Sequence, residues 1–161
     1  MSTTSDLIEE LTRERSALLE IVEGLDDATL DRKGVVGAWS IKNVLAHLAA
    51  WEGVVVGITP EWLATRVKPQ ILQASTADED ADNAEQVGLR ERLSPADQFA
   101  ELETTRGALL HLFEDLGDET LARRNPWPEW EGTLAEYFVA SICEHEREHR
   151  NDVRAAVTIG R

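Results

Sequence analysis

Cysteine is almost missing from this chain: Cys143 is the one thiol among 161 residues. No intrachain disulfide can form, and nothing in the cysteine usage implies an oxidising compartment. Positive charge is also scarce. Sixteen Lys and Arg face 31 Asp and Glu, a net charge of -15. Phosphate backbones and anionic membrane surfaces are gripped by clustered cations, so this balance predicts no nucleic acid and no membrane among the partners. Long apolar runs are absent too, none approaching the ~20 residues of a membrane span. The opening "MSTTSDLIEE" lacks a basic segment leading into an apolar one. A secretory signal is therefore not expected, and a cytoplasmic protein is.

What the chain does contain is helical periodicity. Hydrophobic residues make up 42%, enough for the core of a single domain spanning residues 1–161. In "SDLIEELTRERSALLEIVEGL", Leu7, Leu11, Leu18, Val22 and Leu25 share one face, with Ser5 as the N-cap. After a glycine-broken loop, Ser40 caps a second helix whose stripe is Ile41, Val44, Leu48, Trp51 and Val55. Thr59-Pro60 reads as a break and a restart. "QASTADEDADNAEQ" reads as a solvated crossover holding one short helix. Ser94-Pro95 opens a third long helix ending near Leu116, and Thr133 caps a fourth running to about Val157.

Two segments repeat. "ELTRERSALLEIVEGLDDATL" from Glu10 and "ELETTRGALLHLFEDLGDETL" from Glu101 align without gaps, with 11 identities in 21 positions. Each is followed by a tryptophan-bearing loop and a helix capped by Ser or Thr. The expected fold is all-α: a four-helix bundle built from a duplicated helix pair. It has pseudo-two-fold symmetry and a long crossover between the second and third helices.

The fourth helix carries "HEREH". With His145 at zero, His149 lies about 40° away on a helical wheel and Phe138 about 20° away. Both histidines thus fall on the core-facing stripe, one turn apart and parallel, which suits two nitrogen ligands on one metal. His47 lies inward on the second helix, so three imidazoles can converge. The other reading is three core histidines satisfied by neighbouring groups. His111 falls off the apolar face. The string also spells the H-E-x-x-H of zinc proteases, but Asp152 and Ala155 stand where the extended protease motif needs Gly and His. Glu146 lies about 100° from His145 and reads as a helix-face charge.

"GAWSIKNVLAHLAAWE" with its inward His47, and "HEREH" on the last helix, resemble the DinB-like four-helix-bundle proteins. The resemblance implies a frequently dimeric bundle holding a divalent metal, such as zinc or nickel, through His47, His145 and His149. It implies transfer chemistry with a low-molecular-weight thiol such as bacillithiol or mycothiol, or hydrolysis of a small molecule. The same helix style, with Asp82-Asn83 in the crossover, also resembles the colibactin self-protection branch, typified by ClbS. That branch implies a protective protein that binds or opens a strained electrophile without need of a metal.

A metal held by three imidazoles lowers the pKa of water or thiol bound to it and keeps a position open for substrate. Asp152 follows His149 by one turn on the same face, placed to orient an imidazole or act as a base. Arg15 and Arg106 hold matching places in the repeat, among inward leucines. They either grip a carboxylate of a thiol cofactor or substrate, or pair with a neighbouring helix. Trp51, Trp127 and Trp130 are candidate pocket walls or core residues. Cys143 lies about 160° from His145 and is read as packing.

Overall fold

A computed structural model describes residues 3–69, 76–125 and 131–159. Helix α1 spans Thr4–Val22. Its cap is Thr3 rather than Ser5: the Thr3 hydroxyl accepts from the Asp6 amide at 3.1 Å while the Asp6 carboxylate accepts from the Thr3 amide at 2.9 Å. That reciprocal pair satisfies two donors at the helix start, which Ser5 alone would not. One further turn, α2 (Asp27–Asp31), precedes the long α3 (Ile41–Thr65), capped by Ser40 as expected.

The expected break at Thr59-Pro60 does not occur. Pro60 sits inside α3, and the Thr59 hydroxyl donates to the Val55 carbonyl at 2.6 Å. Trp62 is fully buried one turn on, so packing outweighs the hydrogen bond that proline forfeits. In the crossover, α4 (Thr76–Leu89) is a helix of 14 residues. Helix α5 (Pro95–Leu121) bends at Gly117, whose φ of 65° suits glycine, so its straight rod ends near Leu116. The last rod joins α6 (Leu134–Phe138), a π-helical turn (Val139–Glu144) and α7 (His145–Ile159).

The rods α1, α3, α5 and α6–α7 form the all-α bundle. Helix α3 packs on α5 and α7, and α1 packs on α5 and α7. Helix α3 is, by length and composition, apolar enough to cross a membrane, which the sequence reading did not anticipate. Most of its apolar window, 61%, is buried against the bundle, as in a core helix.

The core is interrupted by charge. One apolar cluster gathers Leu7, Leu11, Leu109, Phe113 and Phe138; another gathers Leu18, Val22, Leu45, Leu102 and Val153. Between them Arg15 replaces the next apolar residue on α1, and Arg106 does so on α5. The Arg15 guanidinium donates to the Leu102 carbonyl at 3.0 Å, and that of Arg106 donates to the Leu11 carbonyl at 2.6 Å. Leu11 and Leu102 are equivalent in the two repeats, as are Arg15 and Arg106. Exchanging the repeats therefore reproduces the bonding pattern, and the duplication read from sequence is a local two-fold axis in space.

Candidate metal centre

His47 comes from the middle of α3, where almost every residue between Ile41 and Ala50 is buried. His145 and His149 come from the first turns of α7. The Nε2 atoms of His47 and His145 lie 3.0 Å apart, and those of His149 and His145 lie 3.1 Å apart. The ring planes cross at 74°, 79° and 82°. Three imidazole edges thus point at one region, and these residues form a set able to hold a metal. His111 is exposed beside Glu114 and takes no part.

This geometry fits a divalent ion. Tetrahedral Zn–N bonds of about 2.0–2.1 Å hold ligand nitrogens about 3.3–3.4 Å apart, a few tenths of an ångström from the observed spacing. The buried Nδ1 atoms of His47 and His149 have no hydrogen-bond partner among the described residues. A ligand imidazole carries its hydrogen on Nδ1 when Nε2 gives its lone pair to a metal. Asp152 Oδ2 lies 3.6 Å from His149 Nδ1, just beyond hydrogen-bond distance. Burial, then the neighbouring His145 and His149, pushes His47 down to about 3. Burial and His149 push His145 down to about 4, against the pull of Glu146. Burial lowers His149 as well, with Asp152 and Glu148 opposing. All three rings are neutral at pH 7, as metal ligation requires.

Beside the histidines opens a cavity of about 540 Å³. Trp39, Trp51 and Tyr137 wall it, with the Trp39 ring centroid 5.2 Å from that of His47. Helix α4 contributes Glu79, Asp80 and Asn83, and Trp51 Nε1 donates to Asn83 Oδ1 at 2.7 Å. The crossover therefore forms part of the pocket. Trp127 and Trp130 lie outside the described residues.

Arg15 and Arg106, read as possible grips for a ligand carboxylate, are occupied within the bundle. Arg15 donates to Glu146 at 2.6 Å and to Glu52 at 2.8 Å. Arg106 donates to Glu52 at 2.9 Å through Nε, and through its terminal nitrogen to both Glu52 and Glu146. Thr105 completes the set by donating to the other Glu52 oxygen at 3.0 Å. Burial alone would lower the pKa of Arg106, but Glu52 and Glu146 outweigh it and raise the value.

Sequence reasoning missed both acids. Glu146 is not a helix-face charge: it is 1% exposed and held by two guanidinium groups, with no free oxygen to act as a protease base. The reason is the π turn. One residue more than an α-helix would use shifts everything downstream by about 100°, moving Glu146 inward and the histidines to the flank facing α3. A signal was present in the sequence. Glu52 stands twelve residues after its cap Ser40, and Glu146 thirteen after its cap Thr133, so one inserted residue brings them into register. Cys143 is buried in the core as expected, and burial pushes its thiol up to about 12.

No curated protein matches the chain in sequence. Solved structures match it in fold. An uncharacterised protein of Escherichia coli UTI89 is 17% identical with a TM-score of 0.80, over 99% of this chain and 95% of its own. The colibactin self-resistance protein ClbS, solved in complex with a double-stranded DNA, is 13% identical with a TM-score of 0.78, over 95% and 94%. A Streptococcus pneumoniae protein is 12% identical with a TM-score of 0.79, over 96% and 90%. The ClbS complex overturns the exclusion of nucleic acid from net charge: a bundle of this fold is seen on DNA. The physical reason is that backbone contacts are made by one local surface, which a sum over all residues does not describe. The family model of the DinB superfamily matches residues 10–153, and with the paired bundle and the histidine-bearing helices it shows that the chain belongs to the DinB superfamily.

Proposed function

We propose that this chain, as one DinB-like domain in the cytoplasm, is a metal-dependent enzyme acting on a small molecule. The reaction is transfer from a low-molecular-weight thiol, or hydrolysis. The observation that carries this reading is the convergence of three imidazoles beside a 540 Å³ pocket, with two buried Nδ1 atoms that have no hydrogen bond among the described residues. His47, His145 and His149 would hold one zinc or nickel ion. Such an ion supplies Lewis acidity, making a thiol or water acidic enough to act as a nucleophile at neutral pH.

The chain's own residues do the rest. Trp39 and Trp51 bind the apolar body of the substrate and exclude water. Tyr137 walls the same pocket, and burial pushes its hydroxyl up to about 12 against an opposing hydrogen bond with Ser141. Asp152 orients His149 through Nδ1. Arg15 and Arg106 act as positioning residues, because Glu52 and Glu146 lie on the helices that carry the ligands. Metal analysis of purified protein tests the reading. About one equivalent of zinc or nickel is expected, with loss in His149→Ala; protein that binds neither when offered both sinks it.

A second reading is a metal-independent protective protein that sequesters or opens a small electrophile. The fold likeness to ClbS and the tryptophan-walled pocket support it. Protection that survives His149→Ala would favour this reading over the first.

A further inference from the structure

We infer that the pocket beside the histidines selects a cationic small molecule, one carrying an amine or quaternary ammonium group on an apolar or aromatic body. This rests on the reading of that pocket as the substrate site, which the convergent imidazoles mark independently of its charge. The charge follows from the lining. No Lys or Arg is among the described residues that line the cavity. Arg15 and Arg106 do not supply one. They line a separate cavity between α1 and α5, and their donors are engaged by Glu52, Glu146 and two backbone carbonyls. A ligand carboxylate would find no guanidinium or ammonium partner there.

Carboxylates are present instead. Glu52 and Glu146 line the cavity floor, but two arginines balance them. Glu79 and Asp80 line the mouth, and both are exposed. On α4 the residues 79, 80 and 83 share one face, and the Trp51–Asn83 hydrogen bond fixes that face against the pocket. A ligand entering there passes two carboxylates and then meets the indole walls of Trp39 and Trp51. At the mouth, carboxylates and indole faces both attract a cation and do not attract an anion; the charge of the proposed metal would sit at the histidines, apart from Glu79 and Asp80. A thiol with carboxylates on its body is the wrong charge for this mouth, whereas an amine-bearing one is the right charge. The net charge of -15 draws cations toward the surface from a distance.

Two matched probes without strong metal-ligating groups test the inference: phenyltrimethylammonium and benzenesulfonate. Each is titrated into zinc-treated protein while the Trp51 indole N–H is followed by NMR, its signal assigned with Trp51→Phe. The cation is expected to bind about tenfold more tightly than the sulfonate, the scale of a partly desolvated cation–π contact. The preference should fall toward parity in the Glu79→Gln/Asp80→Asn double variant, whose exposed positions leave the core untouched. Equal affinity, preference for the sulfonate, no shift with either probe, or a preference that ignores the double variant each overturns it. Zinc content of the same samples separates the two claims. Zinc bound with no cation preference removes this inference and leaves the metal reading. A cation preference in protein that takes up no zinc does the reverse.

Discussion

Two buried polar clusters sit side by side in this bundle, and they are finished to different degrees. In the Arg15–Glu52–Arg106–Glu146 cluster both acids and both guanidinium groups are bonded. In the His47–His145–His149 cluster two buried ring nitrogens have no hydrogen bond among the described residues, and three others crowd together beside an open cavity. A native protein satisfies its buried polar groups unless something else is meant to satisfy them. The arginine–glutamate cluster is complete within the chain and serves the fold. The histidine cluster is incomplete among the described residues, and the metal proposed above is what would complete it. Symmetry draws the same line. The first cluster obeys the two-fold axis of the duplication. The second breaks it, with one histidine from the first helix pair and two from the second.

The largest effect should come from breaking the complete cluster. Glu146→Ala leaves two buried guanidinium groups with one carboxylate between them. It should lower unfolding free energy by about 3–5 kcal/mol in urea titrations. Replacing the whole quartet together (Arg15→Met, Arg106→Met, Glu52→Leu, Glu146→Leu) should be far milder, because no charge is left unpaired. If the quartet costs as much as the single change, unpaired charge is not the cause.

Breaking the incomplete cluster should have the opposite profile. His149→Ala should change metal-free stability by about 1 kcal/mol or less, since it removes a ring with an unsatisfied nitrogen. Zinc affinity should fall by more than about 100-fold, because losing a supporting residue alone typically costs 10–100-fold. Isothermal titration with zinc checks both halves when paired with urea unfolding.

The clusters should also part with pH. The histidines have folded pKa values below the unfolded 6.5, near 3 for His47 and near 4 for His145. Between those limits the unfolded chain binds protons that the folded chain does not, so stability rises with pH. This contribution is complete above about pH 6.5 and is lost as pH falls toward 4 and then 3. It amounts to a few kcal/mol, on the order of one or two fully shifted imidazoles. Denaturation of metal-free protein from pH 7 to 4 should show the loss, with a smaller slope in His47→Phe. Arg106 stays charged throughout and adds nothing to this slope.

The smallest effect tests how far the metal centre extends. Asp152 is exposed and 3.6 Å from His149 Nδ1. Asp152→Asn should weaken zinc binding by about tenfold or less, the lower end of what supporting carboxylates contribute. An unchanged affinity would confine the centre to the three rings.

Much of this was legible before any coordinates. The bundle and the duplication follow from apolar spacing, because a helix repeats its faces every 3.6 residues whatever it packs against, and the i, i+4 pairing of His145 and His149 follows from the same repeat. The Ser40 and Thr133 caps followed from local hydrogen bonding, and Thr3 displaced Ser5 because only its spacing to Asp6 completes a reciprocal pair. Pro60 was misread for a different reason: buried packing around Trp62 carries the helix through a residue that would break it in isolation.

By itself, then, the sequence determined the rods, their pairing and the residues able to bind metal, since each depends on local spacing along the chain. Only the tertiary structure decided which buried charges meet and which way the last helix faces. One extra residue in the Val139–Glu144 turn rotates α7 by about 100°, a little over a quarter of a turn. That rotation sends Glu146 into the arginines and swings His145 and His149 toward His47. A wheel drawn straight through "VASICE" cannot show it, because the wheel assumes 100° per residue throughout and the π turn departs from that.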